Sequence, residues 1–120
     1  MKGIVVDKKK YKMAIDEARQ ELRIQVHGLI RENDVESYMT DLQETINKVP
    51  KEKYTFVVDG TYQTPVPSKV VSQLEQTMQF YASLGFKEII IVKPSSKIAQ
   101  VQLRNALERI DFPGKLVDQI

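Results

Sequence analysis

Apolar and polar residues alternate through Tyr11, Met13 and Ile15, set against Lys12, Ala14 and Asp16. They alternate again through Leu22, Ile24 and Val26, set against Arg23, Gln25 and His27. A period of two puts each apolar set on one face of a strand. The polar break Glu17-Ala18-Arg19-Gln20 between them predicts an antiparallel hairpin with one buried face. After Gly28 the period changes. Val35, Tyr38, Met39, Leu42, Ile46 and Val49 recur at helical spacing until Pro50, and Asn33 with Glu36 three residues on reads as a capping box. Beyond the surface turn Lys51-Glu52-Lys53, the run from Tyr54 to Asp59 is nearly all apolar or β-favouring, as in a central strand buried on both faces. A loop from Gly60 to Val66 leads to Pro67, suited to the first position of a second helix. Its inner stripe is Val70, Val71, Leu74, Met78, Tyr81 and Ala82, and Gly85 supplies a left-handed end. Phe86 to Val92 repeats the central-strand pattern. Lys93-Pro94-Ser95-Ser96 opens a third helix with Ala99, Leu103, Ala106, Leu107 and Ile110 inward, which Pro113-Gly114 ends before a short last strand, Lys115 to Val117.

This order of elements predicts an α/β fold. An N-terminal antiparallel hairpin is followed by βαβα units with right-handed crossovers, giving one mixed sheet. At 120 residues the chain fits one domain, assigned to 11–120. Residues 1–10 read as a basic segment, either a short edge strand or a flexible arm.

Composition narrows the chemistry. The absence of cysteine removes disulfides, thiolate metal sites and cysteine nucleophiles together. The longest aliphatic run, Ile89 to Val92, is far short of the ~20 residues that span a bilayer. Gly3 to Val6 is too short for a signal-peptide apolar region. A cytoplasmic protein without a membrane span is expected. The net charge of +2 comes from Lys2, Lys8, Lys9, Lys10 and Lys12 near the start, the remainder being slightly acidic. With no arginine or aromatic interleaving, that run reads as a solvated end and argues against nucleic acid.

In a parallel sheet the carboxyl ends of the strands form the natural binding edge. Two segments qualify, and they supply the candidate binding residues Asp59, Thr61, Tyr62, Ser68 and Lys69, and Lys93, Ser95, Ser96 and Lys97. The simplest roles are structural: Asp59-Gly60 as a strand-ending turn, and Ser95 or Ser96 as a helix cap. The sharper reading is an anion site made of helix-start amides with Lys93 and Lys97. No glycine-rich phosphate loop is present. His27, the only histidine, has no spaced partner for a ligand set or triad, and reads as a titrating surface residue. No paired carboxylates mark a hydrolase. No metal, cofactor or catalytic residue is assigned.

From Tyr54 to Ile110 the pattern resembles the sulfate transporter and anti-sigma-factor antagonist (STAS) domain, in its small bacterial STAS-like or SEC14-like form. The carrying features are Phe56-Val57-Val58-Asp59, the loop, and the helix start Ser68-Lys69-Val70-Val71 with Leu74. Leu84-Gly85-Phe86 running into Ile89-Ile90-Ile91-Val92, and the entry Lys93-Pro94-Ser95-Ser96, complete the match. The resemblance implies helices mainly on one sheet face. In the anti-sigma antagonists an Asp-Ser-Ser-Gly motif is phosphorylated on its second serine. Here those positions hold Pro67, Ser68, Lys69 and Val70, so a lysine replaces the phosphoacceptor and only Ser68 remains as a phosphorylation candidate. Helix capping is its simpler role. The SEC14-like side implies an apolar ligand by the helices. With all helices on one side, the other face of the central strands needs cover from a partner, a second copy, the N-terminal segment or a ligand.

The leading expectation is a non-enzymatic regulatory module that contacts a protein partner or its own copy through the loop and helix start after Asp59. The alternative is a domain for an apolar or anionic small molecule, and an enzyme using Asp59 comes third. An open convex rim would favour protein contact, and a cavity lined by inner helix faces would favour a ligand.

Overall fold

A computed structural model describes residues 3–28 and 32–119. Strands β1 (Ile4–Asp7), β2 (Tyr11–Asp16) and β3 (Glu21–Val26) form an antiparallel meander, to which β4 (Thr55–Asp59), β5 (Glu88–Val92) and β6 (Lys115–Val117) add in parallel. The strand order is strictly sequential, from β1 to β6. Helices α1 (Glu32–Ile46), α2 (Val71–Ala82) and α3 (Lys97–Arg109) make the three crossovers. Each crossover steps one strand in the same direction, so one hand of connection places all three helices on one face. This is the α/β mixed sheet that the periodicity predicts.

The core lies between that face and the helices. Leu22, Phe56 and Ile89 stand in one row across β3, β4 and β5, and Ile24, Val58, Ile91 and Leu116 in the next. The opposite face needs less cover than the central strands suggest. Val57 is fully buried there and Val92 nearly so, without any helix above them. Their register neighbours are Arg23 and Ile90 for Val57, and Asp59 and Val117 for Val92. A long side chain such as Arg23 beside a small valine can shield it with its stem while its polar end stays wet.

Several boundaries differ from the sequence reading. Asn33 falls inside α1 and not ahead of it, and its side chain lies outside the described residues. Pro67 precedes a 3-10 turn, Ser68–Val70, so α2 proper starts at Val71. Helix α3 ends at Arg109, before Pro113-Gly114, with Asp111 in the left-handed region at φ 53°. Gly114 serves the approach to β6: a Cβ there would lie 2.5 Å from the Ile89 carbonyl oxygen.

Three of the lysines near the start, each still substantially exposed, reach carboxylates. Lys8 Nζ lies 2.6 Å from Asp41 on α1, Lys10 Nζ 3.0 Å from Asp34, and Lys12 Nζ 3.7 Å from Asp7. The buried Tyr11 also donates its hydroxyl to Asp41, at 2.7 Å. Burial pushes the Asp41 carboxyl up, but hydrogen bonds from Lys8 and Tyr11 outweigh it and hold the group below its usual value. These contacts draw α1 toward β2. Helix α2 packs instead on α3.

The buried hydroxyls of Tyr38 on α1 and Tyr81 on α2 bond to each other across the space between the two helices. Burial raises both phenols, Tyr81 from 10.0 to about 12 and Tyr38 well above 10.0. The folded state therefore keeps protons that the unfolded chain releases. Their contribution is complete below about pH 10 and is lost as pH rises through the folded values, at up to ~1.4 kcal/mol per pH unit for each group. Urea unfolding at intervals from pH 9 to about pH 12 is expected to show this fall, with a shallower slope for Tyr81→Phe. Equal slopes in the two proteins would refute it.

Candidate functional site

The carboxyl ends of β3, β4 and β5 lie side by side, with Gln25, Asp59 and Val92 in one register row. Asp59 is fully engaged there. Its Oδ1 accepts from the Thr61 amide at 3.1 Å and the Thr61 hydroxyl at 2.6 Å, and its Oδ2 accepts from Gln25 Nε2 at 3.1 Å. Burial pushes this carboxyl up, yet the bonds from Thr61 and Gln25 and the nearby Arg23 charge hold it below its usual value. Asp59 is thus an ionised acceptor that shapes the turn. Gly60 permits that turn, because a Cβ would lie 2.7 Å from the Val92 carbonyl oxygen.

His27 is no isolated surface residue. Its ring stacks on Tyr62 with centroids 4.7 Å apart and planes 10° from parallel, and its Nε2 lies 3.0 Å from Gln25 Oε1. A carboxylate only accepts, so the Gln25 amide nitrogen must face Asp59 and its oxygen must face His27. That leaves the neutral imidazole proton on Nε2. Sequence spacing could not reveal this chain, since Tyr62 and Asp59 reach His27 only through strand pairing. As sequence, Gln25 is merely a polar strand position.

The other candidates divide between the two strand ends. The Ser95 amide and hydroxyl both donate to the Thr61 carbonyl at 3.1 Å, tying the loop after β5 to the loop after β4. Ser96 caps α3 by accepting from the Ala99 amide at 3.3 Å. Lys93 Nζ turns to Asp118, 3.0 Å away. Lys97 is exposed at the first position of α3. Ser68 and Lys69 are exposed in the 3-10 turn, and Ser68 makes no capping hydrogen bond because Pro67 holds the cap position.

Behind this rim lies a cavity of about 440 Å³ between α1 and α2. Val26 and Val58 form its floor, while Val35, Tyr38 and Met39 on α1 face Leu74, Met78 and Tyr81 on α2. Gln73, Gln76 and Thr77 stand exposed at its edge. Its strand-end wall is Gly28 and Gln63, joined because Gln63 Nε2 donates to the Gly28 carbonyl at 3.2 Å and the Gly28 amide to the Tyr62 carbonyl at 3.1 Å. Volume and lining suit a small apolar molecule. In the sequence, several of these residues are simply members of a helical core stripe.

Farther along the loop, Gln102 of α3 grips Val66 at both backbone atoms. Its Oε1 accepts from the Val66 amide at 2.9 Å, and its Nε2 donates to the Val66 carbonyl at 2.8 Å. Among the described residues no His, Cys, Asp and Glu group could hold a metal ion, and no helix is long and apolar enough to cross a membrane. Compared with known proteins, the chain matches no family model and no curated sequence.

Gln102→Leu removes both bonds to Val66 while keeping the side-chain bulk. It is expected to lower stability by about 1–2 kcal/mol and to accelerate hydrogen exchange at the Val66 amide. An unchanged exchange rate would show that the loop is held by other contacts.

Proposed function

We propose that this chain is a small-molecule-binding domain that holds an apolar ligand between α1 and α2. The observation that carries the reading is the 440 Å³ cavity lined by the inner faces of both helices. An engineered cavity of about 150 Å³ takes one benzene, so by proportion this one has room for roughly 15 to 18 non-hydrogen atoms. The cavity favours the SEC14-like side of the STAS-like resemblance. The strand-end loop, through Gln63, then acts as one wall of the ligand site and not as a catalytic loop. Titration with prodan, an uncharged naphthalene fluorophore, is expected to give saturable enhancement. Leu74→Trp, which fills the cavity from α2, is expected to weaken that binding at least about tenfold, since overpacking a filled site costs about 1–3 kcal/mol. Equal binding by both proteins would place the dye elsewhere and sink the reading.

A second reading keeps the STAS-like module as a regulatory protein-contact domain, joining another protein or its own copy through the rim. Its support is Ile98, 66% exposed at the second position of α3, together with Tyr62, 53% exposed on the loop. Exposed apolar side chains beside a polar rim are typical of contact surfaces. On this reading the protein sediments as a dimer, and Ile98→Glu with Tyr62→Ala shifts it to monomer at the same concentration. A monomeric wild type would remove the self-contact form.

A further inference from the structure

The Tyr38–Tyr81 hydroxyl pair leaves one hydrogen-bond donor unmatched. Each phenol carries one proton, and the bond between them uses only one of the two. Neither hydroxyl has another partner among the described residues, and both side chains are buried, with Tyr38 5% and Tyr81 2% exposed. Both also line the cavity, whose other walls at that depth are Val26, Val58 and Met78. A buried donor facing apolar side chains is costly unless something accepts from it.

Building on the apolar-ligand reading, we infer that the cavity selects an uncharged, carbonyl-bearing molecule whose oxygen accepts a hydrogen bond from the Tyr38–Tyr81 hydroxyl pair. A carbonyl oxygen accepts and brings no proton of its own. An alcohol can accept the same proton, but it brings a proton of its own that must then turn back onto a phenol lone pair, a geometry that a carbonyl does not need. A carboxylate is disfavoured because its charge would have to leave water for apolar walls. No lysine or arginine lines the cavity among the described residues. The burial that holds both phenols neutral works equally against any anion beside them.

Methyl hexyl ketone, octane and octanoate are matched probes of this choice. Their binding to the full chain is read by isothermal titration calorimetry, which does not depend on the two tyrosines that the variant removes. The ketone is expected to bind about fivefold more tightly than octane, the worth of one hydrogen bond, and more tightly than octanoate. In the double variant Tyr38→Phe with Tyr81→Phe, ketone and octane affinities should become equal while octane binding persists. Single variants are less informative, because each leaves one donor hydroxyl. Equal wild-type affinities for ketone and octane, tightest binding of octanoate, or a ketone preference that survives the double variant would each overturn the inference and leave the apolar-ligand reading standing. Failure of all three probes to bind would overturn both. The comparison among wild-type affinities decides the matter even if the double variant does not fold.

Discussion

Three connections of one hand, each advancing a single strand, fix most of what this molecule can be. They line up β3 to β6 in sequential parallel order and send α1, α2 and α3 to the same side. One sheet face is then roofed by helices, and the other must make its own shelter. The opposite face does so with alternation: small apolar residues such as Val57 and Val92 sit in register beside Arg23 and Asp59. The strand carboxyl ends gather on one edge, where Asp59, Gln25, Thr61 and Ser95 consolidate the loops instead of exposing free reactive groups.

Where the helices sit within their layer is a second-order choice, and polar contacts make it. Helix α1 is held toward the antiparallel half of the sheet by Asp41, which receives both Lys8 and Tyr11, and by the Lys10–Asp34 pair. Tyr38 meets the Tyr11 ring edge-on, with centroids 5.0 Å apart. Helix α2 is drawn the other way, onto α3, where Arg109 meets Glu75 at 3.0 Å. The two helices separate, and the tyrosine hydroxyls bridge the space. The lysines near the start, which as sequence look like an excess of charge, thus find carboxylate partners on α1.

The order of elements was legible because period and turn chemistry are local. Alternation around Met13 and Ile24, the helical stripe from Val35 to Ile46, and the Ser96 cap depend on neighbours a few residues away. The site was far less legible. A stripe residue such as Tyr38 or Leu74 has the same spacing whether it meets packed side chains or lines a space. The relay from His27 through Gln25 to Asp59 and the grip of Gln102 on Val66 join residues more than thirty positions apart, at least in part. Glutamine carries no periodic or charge signal, so its amide is invisible until the backbone that it pairs with is in place. Ser68 shows the converse, since a serine before a helix looks like a cap, yet Pro67 takes that position.

The cavity is also a constraint on stability. An enclosed apolar void costs about 24 cal/mol for each Å³, which for 440 Å³ is on the order of 10 kcal/mol, comparable with the whole stability of a typical domain. A fold of this size could not carry such a void dry and sealed. The exposed Gln73, Gln76 and Thr77 along its edge relieve the constraint by letting solvent reach the opening, while the depth keeps its apolar walls. Water that enters meets few polar partners there beyond the tyrosine pair, and buried water is stable only with two to four. Replacing that poorly held water with an apolar body both restores contacts to the walls and releases solvent. On the proposed ligand reading, that exchange supplies the driving force for occupancy.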